Sequence, residues 1–191
     1  MAVALYPGAF KPPHRGHFDV VKKLLNGTHG GKIYDKDTAA QVATSSLQGE
    51  SDNVDPINKV VIFIGGKDRN GISAKESKMV WDIYAKYLGN VEVVYGNPNP
   101  LREAKDYVNA NLDKEFYAVT GIRTEEDLTD LKRISMFKNT PNVKGLLLPG
   151  DSNQTRATDF RKALLSGNLD QVISFFPEEL QREEILQIME I

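Results

Sequence analysis

Cysteine is absent from this 191-residue sequence. The chain therefore has no disulfide bond, no thiolate metal site and no cysteine nucleophile. Long hydrophobic runs are also missing, since no apolar stretch approaches the roughly 20 residues that a membrane helix needs. Residues 1–6 are uncharged and run straight into a turn, so we expect no signal peptide there. These absences predict a cytoplasmic protein without a membrane partner.

An excess of charge of either sign is missing too. The sequence has 24 Lys and Arg residues against 26 Asp and Glu residues, and its formal net charge is −2. The two signs are interspersed, so bulk charge predicts no surface for nucleic acid. Any phosphate must then be bound by a few locally placed groups. At this length the chain suits a single domain, residues 1–191, with a sizeable core.

The most informative segment is residues 6–17, which read Tyr-Pro-Gly-Ala-Phe-Lys-Pro-Pro-His-Arg-Gly-His. A short apolar run precedes the turn, and apolar residues at helical spacing follow it. This pattern predicts a strand, a tight turn and a helix. His14 and His17 are three residues apart, so they share one face of the first helical turn. The N–H groups and the dipole at that turn attract phosphate, so the histidine pair indicates chemistry on a phosphate.

Five apolar runs alternate with stretches of helical periodicity. Strands that are apolar on both faces, separated by helices, predict a parallel sheet covered on both sides. Right-handed crossovers then give a doubly wound α/β fold, which binds ligands at the carboxyl ends of its strands. The predicted strands are Val3–Tyr6, Val60–Ile64, Val91–Tyr95, Phe116–Thr120 and Val143–Leu148. Helices are predicted around residues 18–25, 79–88, 101–112, 128–134, 157–166 and 169–176, and Pro177 is placed to begin a last one. Trp81 and Tyr84 follow the core stripe of their helix, so we assign them to packing.

One segment, residues 26–58, is rich in Gly, Ser, Thr, Asp and Asn and has little apolar periodicity. A polar stretch of this length inside a domain is usually functional or disordered. We therefore expect an inserted flexible loop or flap.

A second group of polar side chains follows the fifth predicted strand, over residues 150–162. This segment again predicts a loop that enters a helix, and it is rich in hydroxyl and guanidinium groups. Thr158 and Arg161 are three residues apart and share a face of that helix. Arg161 is able to give a phosphate two parallel hydrogen bonds. Alone, the segment would be an ordinary capped surface helix, but with the histidine motif upstream it indicates a second phosphate contact.

Residues 14–17, His-Arg-Gly-His, resemble the HxGH signature of the nucleotidyltransferase superfamily, which includes adenylyltransferases and cytidylyltransferases. Residues 158–161 match the end of that superfamily's second signature, Ile-Ser-Ser/Gly-Thr-x-x-Arg. The sequence is most similar to the phosphopantetheine adenylyltransferases, in its opening at 4–10, in residues 88–94, in Gly-Ile-Arg at 121–123 and in the Pro-Glu turn near 177. The resemblance covers most of the chain outside the insertion.

The resemblance implies a Rossmann-like doubly wound sheet of about five parallel strands with helices on both faces. It implies transfer of AMP from ATP to a small phosphomonoester acceptor with release of pyrophosphate. Mg²⁺ would be bound mainly through the nucleotide phosphates, because no carboxylate cluster in the sequence predicts a metal site. Catalysis would fall to His14, His17, Lys11 and Arg161. Nucleotide binding would fall to Gly8, Ala9, Phe10, Gly16, Gly121, Arg123, Asp127, Arg156 and Thr158, and acceptor binding to Lys67 and Arg69.

Departures from the family pattern leave alternatives open. Lys11 and His14 stand where phosphopantetheine adenylyltransferases usually have Asp and Thr, and Thr120 replaces the arginine that holds the acceptor phosphate. A nicotinamide mononucleotide adenylyltransferase or a cytidylyltransferase is therefore the alternative, although the Arg-Thr-x-Gly-Ile-Ser-Thr-Thr block of the cytidylyltransferases is absent. Thr155 and Arg156 replace the usual Ile-Ser, which leaves a catalytically silent nucleotide-binding regulator as a third reading. The oligomeric state stays open, a homo-oligomer included.

Overall fold

A six-stranded, mostly parallel β-sheet forms the centre of this α/β protein in the computed structural model, which describes residues 1–34, 54–122, 134–149 and 156–190. The strands are β1 (Ala2–Gly8), β2 (Lys32–Tyr34), β3 (Ile57–Ile64), β4 (Val91–Tyr95), β5 (Glu115–Ile122) and β6 (Val143–Pro149). They lie side by side in the order β2-β6-β5-β1-β3-β4. All neighbours pair in parallel except β2 and β6, which are antiparallel. Each of the five predicted strands is present.

The edge strand β2 lies within residues 26–58, for which we predicted a flexible insertion. Ile33 pairs with Leu146, and the Tyr34 side chain is only 5% exposed. The prediction of about five strands, all parallel, is therefore corrected by one antiparallel edge strand. The remainder of the predicted insertion, residues 35–53, lies outside the described residues.

The second and third helices start at clear local signals. At the second helix, Ser73 Oγ accepts a hydrogen bond from the Glu76 N–H, and a Glu76 carboxylate oxygen accepts one from the Ser73 N–H. The third helix begins at Pro100, because a first helical residue needs no N–H partner. The helices are α1 (Arg15–Asn26), α2 (Ala74–Ala85), α3 (Pro100–Asn109), α4 (Ala157–Ser166), α5 (Leu169–Val172) and α6 (Arg182–Met189), with short 3-10 turns at 134–137 and Ile173–Phe175.

The start of the last helix differs from the prediction. Residues 177–180 form a turn, in which the Leu180 N–H donates to the Pro177 carbonyl at 3.2 Å. The helix begins only at Arg182, after the Gln181 N–H has donated to Glu184 Oε1 at 2.8 Å. Pro177 therefore begins a turn that precedes α6 and does not begin the helix itself. Of the helix predicted around 128–134, only the 3-10 turn that starts at residue 134 is described.

The core lies on both faces of the sheet, because the strand residues alternate between two apolar clusters. Helices α1, α2, α4 and α6 cover one face, where Phe18, Trp81 and Phe160 are fully buried. Helix α3 and the 134–137 turn cover the other face through Ala104, Val108 and Phe137. This double burial explains why the strands are nearly continuous apolar runs. In the described ranges, no helix combines the length and apolarity needed to cross a bilayer.

Candidate active site

Helix α1 begins with two histidines that cap its first turn reciprocally. Nδ1 of His14, the N-cap residue, accepts a hydrogen bond from the backbone N–H of Gly16 at 3.0 Å. Nδ1 of His17 accepts one from the backbone N–H of His14, also at 3.0 Å. This is a capping box, in which Ser or Thr and Glu or Gln usually take the two positions. The three-residue spacing of the histidines is therefore explained by helix capping, whether or not the two rings also bind a ligand.

The capping bonds determine which ring nitrogens carry hydrogen. A neutral imidazole has one N–H, and because Nδ1 accepts a bond in each ring, the hydrogen is on Nε2. The two rings stack with centroids 3.8 Å apart and 23° between their planes. His17 is partly exposed, whereas His14 is only 6% exposed. Since the first turn of α1 contains no acidic residue, the positive end of the helix dipole is not offset there, and the arrangement favours an anion.

Lys11 ties the ends of β1 and β3 together. Its Nζ donates to the carbonyl oxygen of Ala9 at 2.8 Å and to that of Gly65 at 2.6 Å. The side chain is 2% exposed. Burial lowers the pKa of the Lys11 amine below its ordinary value of 10.5, the Arg69 charge lowers it further, and Asp68 acts in the opposite direction. Among the described residues, one ammonium hydrogen of Lys11 remains for a ligand.

Phe10 has a φ of 49°, in the left-handed region that non-glycine residues seldom adopt. Its ring meets the rings of Tyr6, His17 and Trp81 edge to face, with centroids 5.2, 4.9 and 5.3 Å away. Gly8 lies against the same ring, because a Cβ added there would be 2.8 Å from a ring carbon. Both residues were predicted to bind the nucleotide. What the structure shows is that they shape residues 9–14, which we call the histidine loop.

A cleft of about 410 Å³ opens at the carboxyl ends of β1 and β3. We call it the cationic cleft, because its described lining contains the side chains of Lys11, Lys67 and Arg69 and no carboxylate. The start of α3 forms the facing wall, where Asn99 accepts from the N–H groups of Leu101 and Arg102. The histidines are not among the described lining residues, although Gly8 and Ala9 of the same strand and loop are. The remaining lining residues are Pro7, Gly65, Pro98, Pro100 and Leu101.

Two tight backbone arrangements hold the walls of the cationic cleft. Arg69 and Ile72 exchange both of their backbone hydrogen bonds, at 3.0 and 2.9 Å, around Asn70 and Gly71, which have φ values of 52° and 78°. Asn-Gly is the preferred pair for such a two-residue turn. On the other wall, Gly66 approaches the backbone so closely that a Cβ would lie 2.9 Å from the carbonyl carbon of Asn97. The exposed cations Lys67 and Arg69 are therefore carried on short, well-defined backbone.

Arg161, on α4, reaches the histidine loop. Its Nη1 donates to the Lys11 carbonyl at 3.2 Å, and its Nη2 lies 3.4 Å from Thr158 Oγ1. Arg156 is the exposed N-cap residue of α4 and makes no side-chain capping bond. Arg161 thus joins the groups at the end of β1, whereas Thr158 and Arg156 remain exposed at the start of α4.

Of the other predicted nucleotide-binding residues at and beyond the end of strand β5, the structure describes Gly121. It lies near the end of β5 and lines a smaller cavity of about 130 Å³ between β5, β1 and α3, next to the cationic cleft, with which that cavity shares Pro7 and Leu101. Arg123 and Asp127 lie outside the described residues.

Two residues of the site were missed by sequence reasoning. Ser77 Oγ donates to the Phe10 carbonyl at 2.5 Å, and the Tyr84 hydroxyl donates to the Pro13 carbonyl at 2.9 Å. Both side chains are fully buried on α2. The only signal for Ser77 is a hydroxyl at a core position of the helix, and Tyr84 was assigned to packing alone.

Comparisons with known proteins add no family. No protein-family model matches this chain, and no curated protein matches it. Within the described residues, no group of three or more His, Cys, Asp or Glu side chains is arranged to hold a metal ion. The chemistry of the site has therefore to be derived from its own residues.

Proposed function

We propose that this protein is a nucleotidyltransferase, which transfers AMP from ATP to a small phosphomonoester and releases pyrophosphate. The observation that carries the proposal is the reciprocal cap formed by His14 and His17. It gives two Nε2–H donors at a helix start that has no acidic residue in its first turn. Neutral donors next to the positive end of a helix dipole suit a polyphosphate.

The strand order supports the same proposal. The parallel strands run β6-β5-β1-β3-β4, so the order reverses between β1 and β5. This is the order expected of a Rossmann-like doubly wound sheet, which binds ligands beyond the carboxyl ends of its strands at the reversal. The histidine loop follows the end of β1, and the cationic cleft opens beside it. A nucleotide and a phosphorylated acceptor would therefore meet at this edge of the sheet.

In the proposed reaction, an oxygen of the acceptor phosphate attacks the α-phosphorus of ATP. The new phosphorus–oxygen bond forms as the bond to the β-phosphate oxygen breaks, and pyrophosphate leaves with that electron pair. No proton has to be removed from an ionised acceptor phosphate, so catalysis consists of holding two anions together and stabilising the charge that builds up. We assign His17 to the α-phosphate, because it is the more exposed histidine, and His14 to the β and γ end.

The cations divide into two groups in this proposal. Lys67 and Arg69, in the cationic cleft, would hold the acceptor phosphate. Arg161 would contact the leaving phosphates from α4, and Lys11 would bridge acceptor and nucleotide with its remaining hydrogen. Lys11, Lys67 and Arg69 line one cleft, and of the nearby carboxylates Asp68 offsets part of the charge at Lys11; a bound anion would lower the remaining repulsion between the cations.

Mg²⁺ enters the proposal as part of the MgATP substrate. The cationic cleft has no carboxylate in its described lining, and the described residues form no His, Asp and Glu cluster. The oxygens of the nucleotide phosphates would therefore supply most of the ligands to Mg²⁺, and Mg²⁺ would neutralise part of the phosphate charge.

The test is pyrophosphate release with Mg²⁺, measured for ATP and CTP against phosphopantetheine, nicotinamide mononucleotide and phosphocholine. We expect release with ATP and only in the presence of an acceptor. If pyrophosphate is released from CTP and an acceptor but not from ATP and an acceptor, the adenylyl assignment is replaced by a cytidylyl one. Calorimetric binding of MgATP with no release from any pair would identify a silent nucleotide-binding regulator, and absence of both binding and release would contradict the proposal.

The His14→Ser variant is the matched control for that assay. Serine preserves the N-cap hydrogen bond and removes the imidazole, so a loss of release in this variant is a loss of chemistry and not of the helix start.

A further inference from the structure

Side-chain donors form hydrogen bonds to the backbone carbonyl oxygens of the histidine loop. Lys11 Nζ binds the Ala9 carbonyl and Arg161 binds the Lys11 carbonyl, at 2.8 and 3.2 Å. The other two bonds come from α2: Ser77 Oγ donates to the Phe10 carbonyl at 2.5 Å and the Tyr84 hydroxyl donates to the Pro13 carbonyl at 2.9 Å. Four carbonyls of one short loop are thus bound by side chains from three parts of the fold.

The two donors on α2 share one stripe of that helix. Ser77 and Tyr84 are separated by two helical turns, and Trp81 lies between them with its ring 5.3 Å from Phe10 and 5.7 Å from Tyr84. All three side chains are fully buried. A buried hydroxyl is costly unless it makes a hydrogen bond. Apolar residues of similar shape would pack here as well, so packing alone does not require the two hydroxyls.

The bond from Tyr84 leads directly to the catalytic histidine. The C=O and N–H groups of one trans peptide point in opposite directions. When Tyr84 holds the Pro13 carbonyl, the N–H of His14 is turned to the other side of the loop. There it donates to Nδ1 of His17 at 3.0 Å. Tyr84 therefore sets the orientation of the group that fixes the tautomer and the position of the His17 ring.

The bond from Ser77 acts one step earlier in the loop. Phe10 has a φ of 49°, a conformation that persists in a non-glycine residue only when surrounding contacts enforce it. Ser77 binds the carbonyl of that same residue, and Trp81 and His17 contact its ring. Loss of the Ser77 bond would let Phe10 relax and would move the ring on which His17 rests.

We propose that Ser77 and Tyr84 are positioning residues, which hold the histidine loop so that the Nε2–H of His17 is presented to the α-phosphate. This inference rests on the proposed function for its catalytic part only. Burial also raises the pKa of the Tyr84 phenol, so its hydroxyl keeps its hydrogen and remains a donor at any working pH.

The experiment compares Tyr84→Phe and Ser77→Ala with a matched control, Tyr117→Phe. Tyr117 is also a buried tyrosine with one hydrogen bond to backbone, from the Asp55 N–H at 2.9 Å, but it lies near the amino end of β5. The ring ¹⁵N shifts of His17 and the emission of Trp81, the one tryptophan of the chain, report on the loop without any substrate. Single-turnover adenylyl transfer and MgATP binding report on function.

We expect the two α2 variants to change the His17 Nδ1 shift or the Trp81 emission, and to lower the rate roughly 10-fold to 100-fold, as small misplacements of catalytic groups do. MgATP affinity should change much less. Tyr117→Phe should lower the melting temperature about as much as Tyr84→Phe does, but it should leave the spectra and the transfer rate unchanged.

Unchanged spectra and rates in both α2 variants would overturn the proposal. Equal effects in Tyr117→Phe would also overturn it, because the hydroxyls would then act through stability alone. If the wild-type protein transfers no nucleotide, the proposed function fails by itself, and the spectra still decide whether Ser77 and Tyr84 hold the loop.

Discussion

The side chain of His17 accepts a hydrogen bond from the backbone of His14 at 3.0 Å, while the side chain of His14 accepts one from Gly16 at the same distance. Two histidines thus take the positions that a Ser and a Glu take in most capping boxes. Histidines at these two positions cap the start of α1 as Ser and Glu would, and they add two Nε2–H donors there. Capping uses Nδ1 of each ring, whereas the proposed phosphate contacts would use Nε2, so mutagenesis is able to separate the two roles.

Replacement of His14 separates the two roles. Serine caps a helix well and alanine does not. His14→Ala should therefore cost about 1 kcal/mol of unfolding free energy, the usual cost of losing an N-cap, whereas His14→Ser should cost little. Both variants should lower the transfer rate, because both lack the imidazole. Urea denaturation and single-turnover kinetics on the same preparations check this. A His14→Ser enzyme with the wild-type rate would restrict His14 to capping.

Arg161→Ala should impair turnover more than folding. The guanidinium is partly exposed and binds the Lys11 carbonyl at the histidine loop, so its loss removes a charge from the proposed phosphate site without opening a cavity in the core. Lys162→Ala, on an exposed neighbour in α4, is the control and should change neither property. Rates are normalised to folded protein by circular dichroism. A sharp fall in melting temperature with unchanged activity per folded molecule would make Arg161 structural.

Gly8→Ala should destabilise the protein by about 1–3 kcal/mol, the usual cost of overpacking. The added Cβ would lie 2.8 Å from the Phe10 ring. Gly121→Ala is the matched control, because a Cβ at that position meets no atom of the described residues within 4 Å, and we expect a change within about 0.5 kcal/mol. Chemical denaturation of the two variants provides the comparison. Equal stabilities would mean that the loop moves aside without cost.

The buried amine of Lys11 predicts a pH dependence of stability. Its pKa is lowered in the folded protein, chiefly by burial and then by the Arg69 charge, so between that lowered pKa and 10.5 the unfolded chain binds more protons. Stability contributed by this group therefore rises with pH through that window and is lost again as the pH falls through the folded pKa. The difference in unfolding free energy between wild type and Lys11→Met, measured from pH 7 to 10.5, should follow this slope. A flat difference would show that the group titrates alike in both states.

Much of the framework could be predicted from local patterns. The run Val91–Tyr95 and the helix over 157–166 were predicted with the bounds that the structure gives, because apolar periodicity and a closing glycine mark them. Strand β2 was not predicted, since its three residues, Lys32–Tyr34, carry no alternation of their own and depend on β6 for pairing. Pro177 was misjudged because a proline suits the first turn of a helix and a preceding turn equally well.

The support of the site could not be predicted in the same way. Ser77 and Tyr84 bind carbonyls that are 67 and 71 residues away in the sequence. Only the packing of α2 against the histidine loop brings them together. The role of Lys11 in joining β1 to β3 depends likewise on the register that pairs Gly8 with Ile64. Sequence patterns identify the charged residues at strand ends, but they do not show which of these side chains form hydrogen bonds to backbone carbonyls.

The central claim is that the Nε2–H of His17 stabilises the charge that develops on the α-phosphate. His17→Gln tests it most directly, because glutamine keeps the capping-box acceptor for the His14 N–H and removes the imidazole. Single-turnover adenylyl transfer should slow by roughly 10²–10³, the usual cost of losing one donor to a developing oxyanion, while equilibrium MgATP binding and the melting temperature change little. A variant that transfers AMP at the wild-type rate would contradict the account.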